Sequence, residues 1–127
     1  MTYYIAKTVS GDFDDVIERV TEALKAEGFG VLTDIDVKAT LKKKIDVDFR
    51  PYRILGACNP KMAYKALSAE DKIGVMLPCN VIVQQTDEGV EVAAVDPVAS
   101  MKAVDNPGLA DIAGPVKDAL ARVIEAL

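Results

Sequence analysis

The chain is 127 residues long, a length that suits one domain with a real core. Half of its residues are hydrophobic and 28% are charged, which excludes a disordered chain; 15 basic against 20 acidic residues leave a net charge of −5, which argues against nucleic acid or an anionic membrane as partner. Histidine is absent, so a Ser-His-Asp triad, a Cys-His pair and a His-ligated metal are excluded, while two cysteines remain.

Residues 3–9 alternate as a strand does, and Ser10-Gly11-Asp12 breaks them. Phe13, Val16, Ile17, Val20 and Leu24 then recur at spacings of three and four, the stripe of an amphipathic helix. Asp12 suits its N-cap, Asp14 and Asp15 favour the positive end of its dipole, and Gly28 stands where a C′ glycine belongs. Residues 29–35 are a short apolar, β-branched run that reads as a strand. Asp36 precedes Val37, Leu41 and Ile45, which share a helical face. Lys42, Lys43 and Lys44 follow at the end where cations suit the dipole. In an acidic chain that run reads as a solvated helix end rather than a phosphate or RNA patch. Pro51 ends whatever residues 47–50 form.

Residues 52–58 (YRILGAC) read as a strand. Asn59-Pro60 is an N-cap followed by a first-turn proline, opening a short helix through Met62, Ala63, Ala66 and Leu67. After a polar turn at 68–72, residues 73–85 read as one long apolar strand with Pro78 in its middle. Asp87-Glu88-Gly89 is a hairpin turn, and residues 90–95 (VEVAAV) are the returning strand. Asp96-Pro97 repeats the cap-plus-proline pattern and opens a second short helix over 97–104. Asn106-Pro107-Gly108 is a turn. Leu109, Ile112, Val116, Leu120, Val123, Ile124 and Leu127 share one helical face, interrupted by Gly114-Pro115, so a kinked or two-part helix is expected.

Two long amphipathic helices need a sheet to cover, and the 73–95 hairpin requires antiparallel pairing. The expected fold is α+β: a two-layer sandwich with helices on one face of a mostly antiparallel sheet, a single domain over residues 1–127. The other face is left for a partner chain. The N-terminus lacks a basic region followed by a long apolar run, and no stretch of about 18 apolar residues occurs. Neither a signal peptide nor a membrane span is therefore expected. The expected setting is cytoplasmic, with Cys58 and Cys79 reduced.

One group of residues calls for an explanation. Cys58-Asn59-Pro60 lies where a strand meets a helix, Pro78-Cys79-Asn80 lies in an apolar run, and Asp96-Pro97 lies at a second strand-to-helix junction. Gly56 stands two residues before Cys58. A thiol just ahead of a helix start lies near unpaired N–H groups and the positive dipole end, a setting that favours a thiolate. The same N–H groups could bind a carboxylate or phosphate. Pro78 cannot donate to a ladder, so it implies an edge, a bulge or a bend that would turn Cys79 and Asn80 out of regular packing. The plainer reading makes both cysteines core residues and both asparagines local caps or pins. Two thiolates can hold a soft metal, but with no C-x-x-C and no histidine no metal site is expected. The spacing of Asp34, Asp36 and Asp96 singles out no catalytic pair.

The strings GFGVLTDIDVKATL (residues 28–41), YRILGACNP (52–60), MLPCNVIV (76–83) and the Asp96-Pro97…Ser100-Met101 segment resemble the domain of unknown function 302 family over essentially the whole chain. The two Cys-Asn segments are the most specific part. The resemblance implies a curved antiparallel sheet with helices on one face, similar to the TATA-box-binding-protein arrangement, and a homodimer. It implies no activity and no cofactor, and the fold likeness does not import DNA binding. The family motif falls on Asp36, Cys58, Asn59, Pro60, Pro78, Cys79, Asn80, Asp96 and Pro97. The Gly114-Pro115 interruption departs from an unbroken last helix.

Three functions are therefore expected to compete. The first is binding of a small ligand or anion at a site lined by Cys58, Asn59, Cys79 and Asn80, with Asp96 and Asp36 as further candidates. The second is thiol-dependent redox or enzyme chemistry, with Cys58 as thiolate and Cys79 as second sulfur. The third is a structural homodimer with no ligand.

Overall fold

A computed structural model describes residues 2–127. Five strands, β1 (Tyr4–Val9), β2 (Gly30–Asp36), β3 (Tyr52–Cys58), β4 (Cys79–Thr86) and β5 (Gly89–Val95), form one sheet in the order β1-β5-β4-β3-β2. Every neighbouring pair is antiparallel. The helices are α1 (Phe13–Ala26), α2 (Val37–Ile45), α3 (Pro60–Ala69), α4 (Pro97–Met101) and α5 (Ala110–Glu125). The architecture is the α+β arrangement of helices on an antiparallel sheet. No helix among the described residues is long and apolar enough to cross a membrane.

Local chemistry sets the helix starts. Asp12 accepts from the N–H groups of Asp14 and Asp15, Asp36 from Ala39, Asn59 from Met62, and Asp96 from Val98 and Ala99. Gly28, just past the end of α1, has φ of +85° and donates to the Lys25 carbonyl at 3.0 Å, as a C′ glycine does.

Alternate strand residues Val90, Val92 and Ala94 of β5, Val81 and Val83 of β4, and Leu55 and Ala57 of β3 turn to one face. There they meet Val16, Val20 and Leu24 of α1 and Val116, Leu120 and Val123 of α5 in the main core. A second, smaller cluster of Ala66, Ile73 and Leu109 lies beside it, with Leu77, Met101 and Ile112 packed on it.

Three sequence expectations are corrected. Residues 73–85 are not one strand: Asp71–Met76 is a 3-10 helix that buries Ile73, and β4 begins only at Cys79. Since β4 lies between β3 and β5, a proline in its middle would remove a ladder donor, and Pro78 instead precedes the first pair. Cys79 and Asn80 are thus in regular pairing, opposite Ala57 and Gly56. The irregularity lies on β2, where the register shifts between Val31 and Thr33 and Leu32 is the extra residue. The second short helix ends at Met101, short of Val104. Finally, α5 runs unbroken through Pro115, which stands on its exposed side and inside the helix rather than at a new first turn.

Candidate functional site

Antiparallel pairing puts the end of β3 beside the beginning of β4. Ala57 faces Cys79, and Cys58 is the next residue along β3. The two Cys-Asn segments, 21 positions apart by number, therefore meet at one corner of the sheet. Asn59 then starts α3, its Oδ1 accepting from the Met62 N–H at 3.3 Å.

A cavity of about 330 Å³ opens at this corner. Cys58, Asn59 and Cys79 line it, together with Phe29, Leu32 and Ala57 from the sheet side. Met62, Ala63, Ala66 and Leu67 of α3 form one wall; Leu77, Met101, Leu109, Ile112 and Val116 complete it. The cavity thus borders residues of both hydrophobic clusters and occupies the seam between them. No Lys, Arg, Asp or Glu lines it.

Both cysteines are free thiols and half-buried. Burial first, and then the neighbouring Cys58, push the Cys79 thiol up to about 11. At neutral pH Cys79 is an uncharged thiol. Among the described residues, no group of three or more His, Cys, Asp and Glu is arranged to hold a metal ion.

The other candidate residues lie elsewhere. Asn80 is exposed and lines a concavity with Tyr4, Tyr52, Ile82, Gln84 and Glu91, side chains of the sheet face opposite the main core. Strand alternation separates it from Cys79. Asp36 caps α2 and pairs with Arg53, whereas Cys58 pairs with Gly30. Five residues along β3 put it roughly 17 Å from Cys58. Asp96 is buried beside the cavity-lining Pro97, but its oxygens are engaged by Val98, Ala99 and Lys117. Burial pushes its carboxyl up; the hydrogen bond from Lys117, the Ala99 and Val98 amides and the Lys117 charge outweigh that and hold it below the ordinary range. Asp34, bound by both nitrogens of an Arg53 fork, is likewise held low, chiefly by that hydrogen bond.

The apolar lining was not among the sequence candidates. Met62, Ala63, Ala66 and Leu67 carried a helical signal, but not a cavity signal. Leu32 lines the cavity while remaining 68% exposed, at the point where the β2 register shifts. A bulge depends on the partner strand, so no local sequence feature marks it.

The model of the domain of unknown function DUF302 matches residues 5–127. The fold is also similar to the crystal structure of an uncharacterized conserved protein DUF302 from Bacillus stearothermophilus, with a TM-score of 0.93 and 31% identity. That likeness covers 99% of this chain and 98% of the other. No curated protein matches. The chain belongs to the DUF302 family.

Proposed function

We propose that this member of the DUF302 family is a binding protein whose site is the cavity bordered by Cys58, Asn59 and Cys79. One observation supports the reading above the others: adjacent strands and the α3 cap deliver all three residues to one apolar space of about 330 Å³. That volume is at the lower end of the range for small-molecule sites, roughly 300–1,000 Å³. Apolar space without contents forgoes dispersion contacts, and a ligand restores them. Thermal unfolding across a panel of small metabolites tests the reading, with Ala63→Trp as control. Ala63 is half-buried on the cavity wall, so an indole there fills the space. A rise in Tm for the wild type and none for Ala63→Trp is expected. No rise with any compound counts against binding.

Thiol chemistry is the second reading, supported by two free cysteines bordering the same cavity. Against it stands Cys79, held protonated by burial. Treatment with a small disulfide distinguishes the two. A loss of 2 Da on an intramolecular Cys58–Cys79 bond would favour thiol chemistry; mixed disulfides alone would not.

We also propose a cytoplasmic homodimer joined through the second sheet face. Two unbridged thiols suit a reducing compartment. Tyr4, Tyr52, Ile82 and Ala93 surround a concavity of about 410 Å³ on that face. Ile82→Glu should convert a dimer to a monomer in sedimentation equilibrium. A wild-type monomer would end this part of the proposal. The net charge of −5 leaves nucleic acid out of it.

A further inference from the structure

We infer, on the binding reading above, that the cavity takes an uncharged apolar molecule and discriminates against an anion of the same size. Its walls are the side chains of residues such as Phe29, Met62, Leu77, Met101, Ile112 and Val116, and no cation is among them. The N–H group that an anion would seek at the start of α3 belongs to Met62, and it already donates to Asn59. Pro60 has no N–H to offer.

The charges next to the cavity reinforce this selection. Lys117 follows the lining residue Val116, but its ammonium lies 3.1 Å from the Asp96 carboxylate. Asp96 itself precedes the lining residue Pro97 and is buried. The pair offers an incoming anion no spare positive charge. An anion would leave its hydration without a replacement, a penalty that a neutral molecule escapes. Cys79, protonated at neutral pH, adds a weak donor and no charge.

The entrance is apolar too. Leu32, the extra residue of the bulge, and Leu67 of α3 both line the cavity and are 68% and 44% exposed. A hydrocarbon chain can therefore keep apolar contact from solvent inward. The ligand class is a neutral molecule with a short or medium aliphatic part, an alcohol or ester rather than its carboxylate.

The test uses the full chain and the neutral dye N-phenyl-1-naphthylamine at pH 7.5. Dye fluorescence should rise saturably with the wild type and stay low with Ala63→Trp. Should Ala63→Trp lose its folded circular dichroism, Leu67→Trp at the exposed rim replaces it. The dye is then displaced with 1-octanol, methyl octanoate or octanoate. The two neutral compounds should act at concentrations at least ten-fold below octanoate. Displacement by octanoate at an equal or lower concentration overturns the selectivity and leaves the cavity as a binding site. A dye signal that is absent, or identical in the filled variant, overturns the binding reading and the selectivity with it.

Discussion

The ammonium of Lys117 on α5 lies 3.1 Å from Oδ2 of Asp96, the residue that joins β5 to α4. Asp96 is only 8% exposed, and its Oδ1 caps α4 through the Val98 and Ala99 amides. One carboxylate therefore fastens three elements beside the cavity. Because the folded carboxyl is held below its ordinary value, its contribution is present above the unfolded pKa of about 3.9 and is lost as pH falls through the lower folded value. Asp96→Asn keeps a capping oxygen but loses the charge pair, at a cost of about 1–2 kcal/mol at pH 7. Asp96→Ala loses the cap as well, for about 1 kcal/mol more. In urea unfolding the gap between wild type and Asp96→Asn should be level from pH 7 to 5 and close below about pH 4. A gap that widens in acid would contradict this arrangement.

Gly56 makes the corner of the site possible. A Cβ there would collide with Thr33 Oγ1 and come within 2.7 Å of Pro78 Cγ. Gly56→Ala should therefore destabilise the protein by about 1–3 kcal/mol. Adding Thr33→Ala should recover part of that loss, because the hydroxyl is removed while Pro78 stays. Urea midpoints of the single and double variants measure it. Full recovery would mean that Pro78 moves freely.

Where a local rule decides the structure, the sequence is readable. Asp12, Asp36, Asn59 and Asp96 are legible as caps because one side-chain oxygen serves amides two or three residues ahead. The stripes of α1 and α5 are legible because each buries one face. Residues 73–78 are not, since a short buried 3-10 helix and a buried strand look alike in an apolar run. The site divides on the same line. Cys58 and Asn59 are betrayed by the cap and proline, and Cys79 by the repeat of Cys-Asn. Asn80 was drawn in by that same repeat, although its side of the strand faces away from the cavity. The apolar walls come from four separate helical segments, and only tertiary packing brings them together.

Cys79 gives a pH signature at the alkaline end. Burial and then Cys58 raise the folded thiol to about 11, against an ordinary value near 9.0. Its contribution to stability is thus complete below pH 9 and is lost as pH rises toward 11. Wild-type stability should fall more steeply over that window than stability of Cys79→Ala. In Cys58→Ser, the thiolate absorbance near 240 nm, on the order of the ordinary thiolate band, should rise with a midpoint well above the free-thiol value of about 8.5. A midpoint at or below that value would mean that Cys79 is not shielded from water.

Pro115 tests whether the last helix tolerates or requires its proline. It stands six residues into α5 on the exposed side, with no N–H to return to the Asp111 carbonyl. Alanine restores that donor and relieves the contact of the ring with the preceding turn, while giving back some unfolded-chain entropy, about 0.4–1 kcal/mol. The helix gain is the larger of the two terms, since proline inside a helix costs about 3 kcal/mol. Pro115→Ala should therefore raise stability by about 1–2 kcal/mol, seen as a higher urea midpoint at unchanged slope. Val116, the next residue, lines the cavity, so the same variant should be compared for dye binding. Greater stability with unchanged binding means that α5 is already in its preferred path. Greater stability with weaker binding means that the proline holds the Val116 wall where the cavity needs it.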